Sequence, residues 1–384
     1  MNRWAILAVL IFARTAMGFQ FQSVAAVSPL LVAELAIDFA MLGALIGVWM
    51  LPGVAVAIPG GLLGRRFGDK RVVLAGLALM ALGSFMVAAA ETYAVAMAGR
   101  VVSGAGAVML NVLQVKMVAD WFHGRELATA MSFLVVSWPI GIGLALAGLG
   151  PLAAASSWSF AIQLTAWVCV AALAAVAAAY RAPPGGSASV AAASRLAGRD
   201  LAAALVSGSM WTFYNAGYII VLSFAPVLLA AQGASVASAT IVSSFATWGL
   251  ILTVPLGGYL ADRTGRGLDI VIGGSLVMAL VMPLLLVVPS AAVMFALFGL
   301  VAGPAGGIIA SLPARTLSPG ARHLGLGLFF TLYYLGMALL PAVAGWFRDA
   351  TGIDAAPLAF GAGLLVGAAL LARWFRRIER WPSA

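Results

Sequence analysis

The sequence predicts an all-α polytopic membrane protein, with twelve transmembrane helices built as two six-helix bundles that repeat in parallel. Three observations carry this prediction. Of the 384 residues, 64% are hydrophobic and 9% are charged, whereas a soluble domain carries about a quarter charged residues. A core of this size cannot hide so much apolar surface, so lipid must be the solvent for most of the chain. The apolar residues come in runs of the length that crosses a bilayer, about 20 residues each. The chain also falls into register with itself when shifted by 197 residues.

Hydropathy places the first six spans at 4–33, 39–63, 72–90, 93–117, 127–152 and 157–180. The second six follow at 200–231, 236–261, 268–288, 290–312, 324–346 and 356–375. Hydrocarbon offers no partner to a free N–H or C=O, so each run must be a helix; the short alternating strands of a barrel are absent. Pro29, Pro52, Pro139, Pro226, Pro255 and Pro341 lie inside runs, where spanning helices tolerate them and kink. The run that follows Arg3 continues past Val32, longer than the core of a cleaved signal, and reads as the first span. Residues 1–180 form an N-terminal half and residues 200–384 a C-terminal half. Between them, 181–199 (RAPPGGSASVAAASRLAGR) has the Pro, Gly and Ser content of a flexible cytoplasmic linker.

Loop charge sets the orientation. With a cytoplasmic N-terminus, the inner loops hold 18 of the 21 basic residues, and the outer side holds Arg348 with Glu34, Asp38, Glu91, Asp349 and Asp354. That asymmetry predicts a multi-pass protein of a bacterial inner membrane with both termini in the cytoplasm. The net charge of +9 is scattered between apolar runs and forms no contiguous basic domain, so the expected partners are membrane lipids and a small-molecule solute, with no nucleic acid. A monomer is expected. Cys169 is the only cysteine, which excludes an internal disulfide and is a poor metal site alone; it reads as a packing residue.

The 197-residue shift superposes Pro29 on Pro226, Gly61 on Gly258, Leu63 on Leu260, Arg66 on Arg263, Gly68 on Gly265, Gly76 on Gly273, Gly106 on Gly303 and Arg125 on Arg322. Each copy begins on the same side, which is the parallel-repeat arrangement. The loop Gly257 to Gly267, GGYLADRTGRG, resembles the loop motif of the major facilitator superfamily, with Gly258, Asp262, Arg263, Gly265 and Arg266 in the motif positions. Its first copy, GGLLGRRFGDK, keeps Gly61, Leu63, Arg66 and Gly68, but has Arg65 where Asp is expected and Asp69 beyond the glycine. The resemblance implies that these loops form a charge clamp that holds an outward-open state, a role that Asp262 fits better than anything in the first loop. The first span, RTAMGFQFQSVAAVSPLLVAEL, is similar to the cyanate and nitroimidazole branch, with an Arg early and Pro-Leu-Leu near the end.

Candidate substrate residues are polar groups that hydrocarbon would reject. A charge at midspan costs about 2.5–3.5 kcal/mol on insertion scales. Arg14 lies about 15 Å into the first span at 1.5 Å per residue, sharing a face with Gly18, Phe21 and Gln22; it is either a ligand for an anionic or dipolar solute or a structural cation held by carbonyls. Arg100 shares a face with Gly104, Ala107, Asn111 and Gln114. The superfamily resemblance implies a cavity-side role in coupling for Arg100, while its residue type alone equally allows packing. Trp211, Tyr214, Asn215 and Tyr218 form one stripe of span seven, the spacing of either a cavity wall or packing. Trp138, Trp248 and Tyr334 are further candidates. All 12 acidic residues fall in or near loops, and His123 and His323 are in loops, so neither a proton relay nor a binding acid for cationic drugs is expected within the spans. Buried arginines without buried acids give a positive cavity that attracts anions. No catalytic set, metal cluster or cofactor motif is present in the sequence, so no enzyme activity, metal or cofactor is expected. The expected function is secondary transport of a small anion or polar metabolite by alternating access; the alternative is export of hydrophobic or drug-like compounds.

Overall fold

The apolar runs fold as helices, and among the described residues there is no strand. The computed structural model describes residues 2–55, 64, 66–122, 126–183, 196, 198–286, 290–318 and 321–381. The first half holds α1 (Arg3–Ala26), α2 (Ser28–Leu35), α3 (Phe39–Gly47, extended by a 3₁₀ turn at Val48–Met50), α4 (Asp69–Ala88), α5 (Tyr93–Trp121), α6 (Leu127–Ala155) and α7 (Trp158–Ala179). The second holds α8 (Gly198–Ala231), α9 (Val236–Thr264), α10 (Gly267–Val281, followed by a 3₁₀ turn at Met282–Leu286), α11 (Ala291–Thr316), α12 (Arg322–Thr351) and α13 (Ala356–Glu379). Eleven of these helices are long and apolar enough to cross a membrane, and the pair Ser28–Leu35 and Phe39–Ala55, bent by 119° at its break, raises the number to twelve.

One expectation changes. The first span does not run unbroken over 4–33: the chain breaks at Val27, where the Ser28 hydroxyl donates to the Ala25 carbonyl at 2.8 Å, and Pro29 opens α2. Its repeat mate Pro226 stays inside the continuous helix α8, so equivalent prolines bend the two halves differently. Gly61, Leu63, Arg65, His123, Arg125 and linker residues 184–195 lie outside the described residues, as do the side chains of Arg322 and His323.

Small residues set the helix spacing. A Cβ on Gly76 of α4 would fall on the carbonyl of Gly106 of α5, and a Cβ on Gly106 on the carbonyl of Gly76; the two backbones touch directly, the close approach expected of helices packed in lipid. The halves meet along α3 with α12 and along α6 with α9. At the first seam a Cβ on Gly43 would strike the carbonyl of Pro341, and one on Gly345 the carbonyl of Phe39.

Charge sits at the helix ends. The end that carries both termini holds the pairs Arg3–Glu126 (2.5 Å), Arg315–Asp262 (3.1 Å), Lys116–Asp69 and Arg376–Asp269. The opposite end holds Arg348–Asp354 (2.9 Å), and there Asp349 of α12 accepts from the backbone amides of Phe39 (3.3 Å) and Ala40 (2.7 Å) at the start of α3. Those amides have no partner within their own helix, so an acid from the other half caps them. The Arg348 guanidinium lies 4.3 Å over the Phe39 ring, which stacks at 6.2 Å on Phe224.

Candidate substrate-binding cavity

Arg14 reaches the space between the halves because α1 runs through the middle of the first bundle, packed on α6 where Gly18 and Gly141 allow close contact. Its Nη1 donates to Asn111 Oδ1 on α5 at 2.6 Å, and Asn111 Nδ2 donates to the Tyr334 hydroxyl on α12 at 3.2 Å. This chain of hydrogen bonds crosses from one half to the other. The Arg14 Nε is buried and has no partner among the described residues.

These groups line a cavity of about 270 Å³, near the lower end of the size range of small-molecule sites. Arg14 is the only charged side chain among its described lining residues. Two aromatic groups form the walls. In the first half, Phe21 lies 5.1 Å from Trp49 and 5.4 Å from Trp138. In the second, Trp211 stacks on Tyr214 at 6.2 Å and lies 6.0 Å from Tyr333, which lies 5.4 Å from Tyr334. Asn215 lines the same space, its Nδ2 turned back to the Trp211 carbonyl at 2.8 Å.

The structure therefore gathers Arg14, Asn111, Trp138, Trp211, Tyr214, Asn215, Tyr218 and Tyr334 around one cavity, and separates four other candidates from it. Arg100 is 2% exposed; its guanidinium donates to the carbonyls of Leu45 (3.0 Å), Gln20 (3.3 Å), Phe21 (3.1 Å) and Ile46 (3.2 Å), and lies 5.8 Å from the Trp49 ring. It is a structural cation that ties α5 to α1 and α3. Gln114 donates to the Leu10 carbonyl at 3.1 Å and Gln22 to the Leu222 carbonyl at 2.9 Å, both buried. Trp248 packs over Gly143 of α6 at the second seam. Trp49, Met50 and Met337 line the cavity without any sequence signal, since each is one apolar residue among many in its run.

Hydrogen bonds join the halves from Asn111 to Tyr334 at the cavity, from Gln22 to Leu222, and from Phe39 and Ala40 to Asp349 at the end away from the termini. At the terminal end the ion pairs among the described residues lie within one half. The cavity lining reaches in that direction to Ala310 of α11 and Phe330 of α12.

The family model of the Major Facilitator Superfamily matches residues 10–214 and again residues 201–384. The chain belongs to the Major Facilitator Superfamily. Its helical halves have the fold of superfamily transporters of known structure. A bacterial homolog of the human lysosomal transporter Spinster, in an inward-facing and occupied conformation, superposes with a TM-score of 0.79 at 16% identity over 100% of this chain and 99% of that one. The xylose transporter XylE from E. coli, in an inward-open conformation, gives 0.78 at 14% over 97% and 96%. The nucleoside transporter NupG gives 0.73 at 16% over 100% of both. By sequence, the chain is 32% identical over 141 residues to Inner membrane transport protein YajR of Escherichia coli, covering 34% of this chain and 30% of that protein. An MFS-type transporter of Aspergillus terreus is 31% identical over 96 residues, covering 25% and 17%. The matched stretches span less than a third of either relative.

Within this superfamily chain, the two motif loops are balanced in the same way with different residues. Asp262 pairs with Arg315 at the end of α11, and Asp69 pairs with Lys116 near the end of α5. The acid displaced past Gly68 thus finds a base in its own half, so both loops hold an anchored carboxylate. Gly68 (φ 87°) and Gly265 (φ 66°) take the left-handed turns that join these loops to their helices. Arg66 lies 5.3 Å from the Phe67 ring and Arg263 donates to the Tyr259 hydroxyl at 2.8 Å; Gly258 and Arg266 lie at the same end, Gly258 with open space beside its Cα.

Proposed function

We propose that this chain is a secondary transporter that moves a small anion or polar metabolite by rocking its two halves about the central cavity. The observation that carries this is Arg14: the one charged group among the described lining residues, its Nε without a partner among the described residues and no acid beside it there. A cation left so in low dielectric is stabilised by an incoming anion, and Asn111 holds it in place. The similarity of the first span to the cyanate branch supports the same reading. The halves are residues 1–180 and 200–384, joined by the 181–199 linker. The protein acts as a monomer in a bacterial inner membrane with both termini cytoplasmic, as the loop charges favour. Because the halves meet away from the termini, the conformation is the cytoplasm-facing one. The clamp residues Asp69 and Asp262 are then paired within their own halves, free of the task of holding an outward-open state.

The test is counterflow of labelled monocarboxylates and inorganic anions into proteoliposomes. Arg14→Ala is expected to abolish the uptake that the parent protein shows, and Arg14→Lys to retain part of it, since Lys keeps the charge without the planar fork. Normal uptake by Arg14→Ala would end this assignment. The aromatic walls favour a second reading, export of hydrophobic compounds; drug efflux that survives Arg14→Ala would support it.

A further inference from the structure

We propose that the solute is an amphipathic monoanion, one acidic head on a flat aromatic body, with the head at Arg14 and the body between the two aromatic walls. This rests on the anion reading above and narrows it.

The number of charges fixes the head. Arg14 is the single charged side chain among the described lining residues, and its free Nε lies beside the Nη1 that Asn111 already holds. One anionic group finds a charge-assisted partner there. A second would be buried without one, which is unfavourable unless paired. Dianions are therefore disfavoured.

The walls fix the body. Phe21, Trp49 and Trp138 stand on the first half, Trp211 and Tyr333 on the second, with Arg14 and Asn111 joined to Tyr334 between them. The faces of aromatic rings carry negative charge and their edges positive, so a ring face repels a bare anion and receives the edge or offset face of another ring. A small inorganic ion would gain only Arg14 and would leave most of the cavity to water. A flat ring attached to the acid group would touch walls belonging to both halves. It would then hold them together as they close, which is the differential contact that a transporter needs from its solute.

The experiment is ligand binding to the purified protein, followed by tryptophan fluorescence and thermal shift, with benzoate, acetate, nitrate, isophthalate and benzamide as probes. Benzoate is expected to bind at least tenfold more tightly than acetate or nitrate, and isophthalate and benzamide at least tenfold more weakly than benzoate. Trp211→Ala is expected to reduce the advantage of benzoate over acetate. Acetate or nitrate binding as tightly as benzoate would overturn the aromatic body and leave the anion reading intact. Benzamide binding as tightly as benzoate would overturn both. The probe comparison needs only the parent protein, so it stands even if the Trp211 variant does not fold.

Discussion

The side-chain amide of Gln22 donates to the backbone carbonyl of Leu222 at 2.9 Å, across the seam between the halves. Leu222 stands four residues before Pro226. Proline has no N–H, so that carbonyl has lost its usual helical partner, and Gln22 takes the vacant place. Pro226→Ala restores an N–H that would capture the carbonyl within α8, and Gln22→Leu removes the donor. A net hydrogen bond is worth about 0.5–1.5 kcal/mol, so each change is expected to shift the balance about two- to tenfold toward the outward-facing state. The readout is the rate at which a membrane-impermeant maleimide, added outside, labels a cavity cysteine in Asn215→Cys. An unchanged rate in both variants would remove the seam role of this bond.

Asn111→Asp is expected to do more harm to anion binding than Asn111→Leu. The Oδ1 of Asn111 lies 2.6 Å from Arg14 Nη1, so an aspartate there would neutralise the guanidinium from within and compete with the solute. We expect at least a tenfold loss of benzoate affinity for the aspartate variant, with melting temperature maintained. Equal losses in both variants would mean that shape at position 111 matters and charge does not.

Anion binding should be flat between about pH 5.5 and 8 for any solute already ionised there. Among the described residues that line the cavity there is no Asp, Glu or His, and Arg and Tyr do not ordinarily titrate in that range. Binding of benzoate measured at several pH values checks this. A sigmoidal dependence with a midpoint near neutrality would reveal a titrating group in control of the site.

Arg100→Lys should lower the melting temperature and leave the thermal shift produced by benzoate in place. The guanidinium donates to four carbonyls on two helices, and an ammonium on a flexible stem cannot reproduce that planar fork. Loss of the benzoate response at an unchanged melting temperature would return Arg100 to the binding site.

Much of this architecture was legible because lipid simplifies the code. A run such as Trp158–Ala179 can only be a helix, and one charge deep in α1 can only face a cavity or a partner. The stripe Trp211, Tyr214, Asn215 and Tyr218 was readable for the same reason: helical spacing puts the four on one side, and all four line the cavity. What separates Arg14 from Arg100 was not readable. Both are lone guanidiniums far from the helix ends, and only the path of α3, which brings the Leu45 and Ile46 carbonyls to Arg100, decides that one is saturated while the other keeps an Nε without a partner among the described residues. Gln22 and Gln114 mislead likewise, since a buried amide satisfied by a carbonyl of another helix looks, in sequence, like a cavity residue. The match of Asp69 to Lys116 was hidden because both the acid and the base have shifted relative to Asp262 and Arg315, so the repeat alone does not align them.

Gly43 and Gly345 meet the carbonyls of Pro341 and Phe39 with no side chain between them. Where knobs interlock, two surfaces must unmesh before they can turn; bare backbone against bare backbone behaves more like a smooth bearing, on which one half can roll over the other without dragging rotamers through barriers. Bulk added at either glycine would act as grit, so the ease of the transport cycle depends in part on two atoms that these residues do not possess.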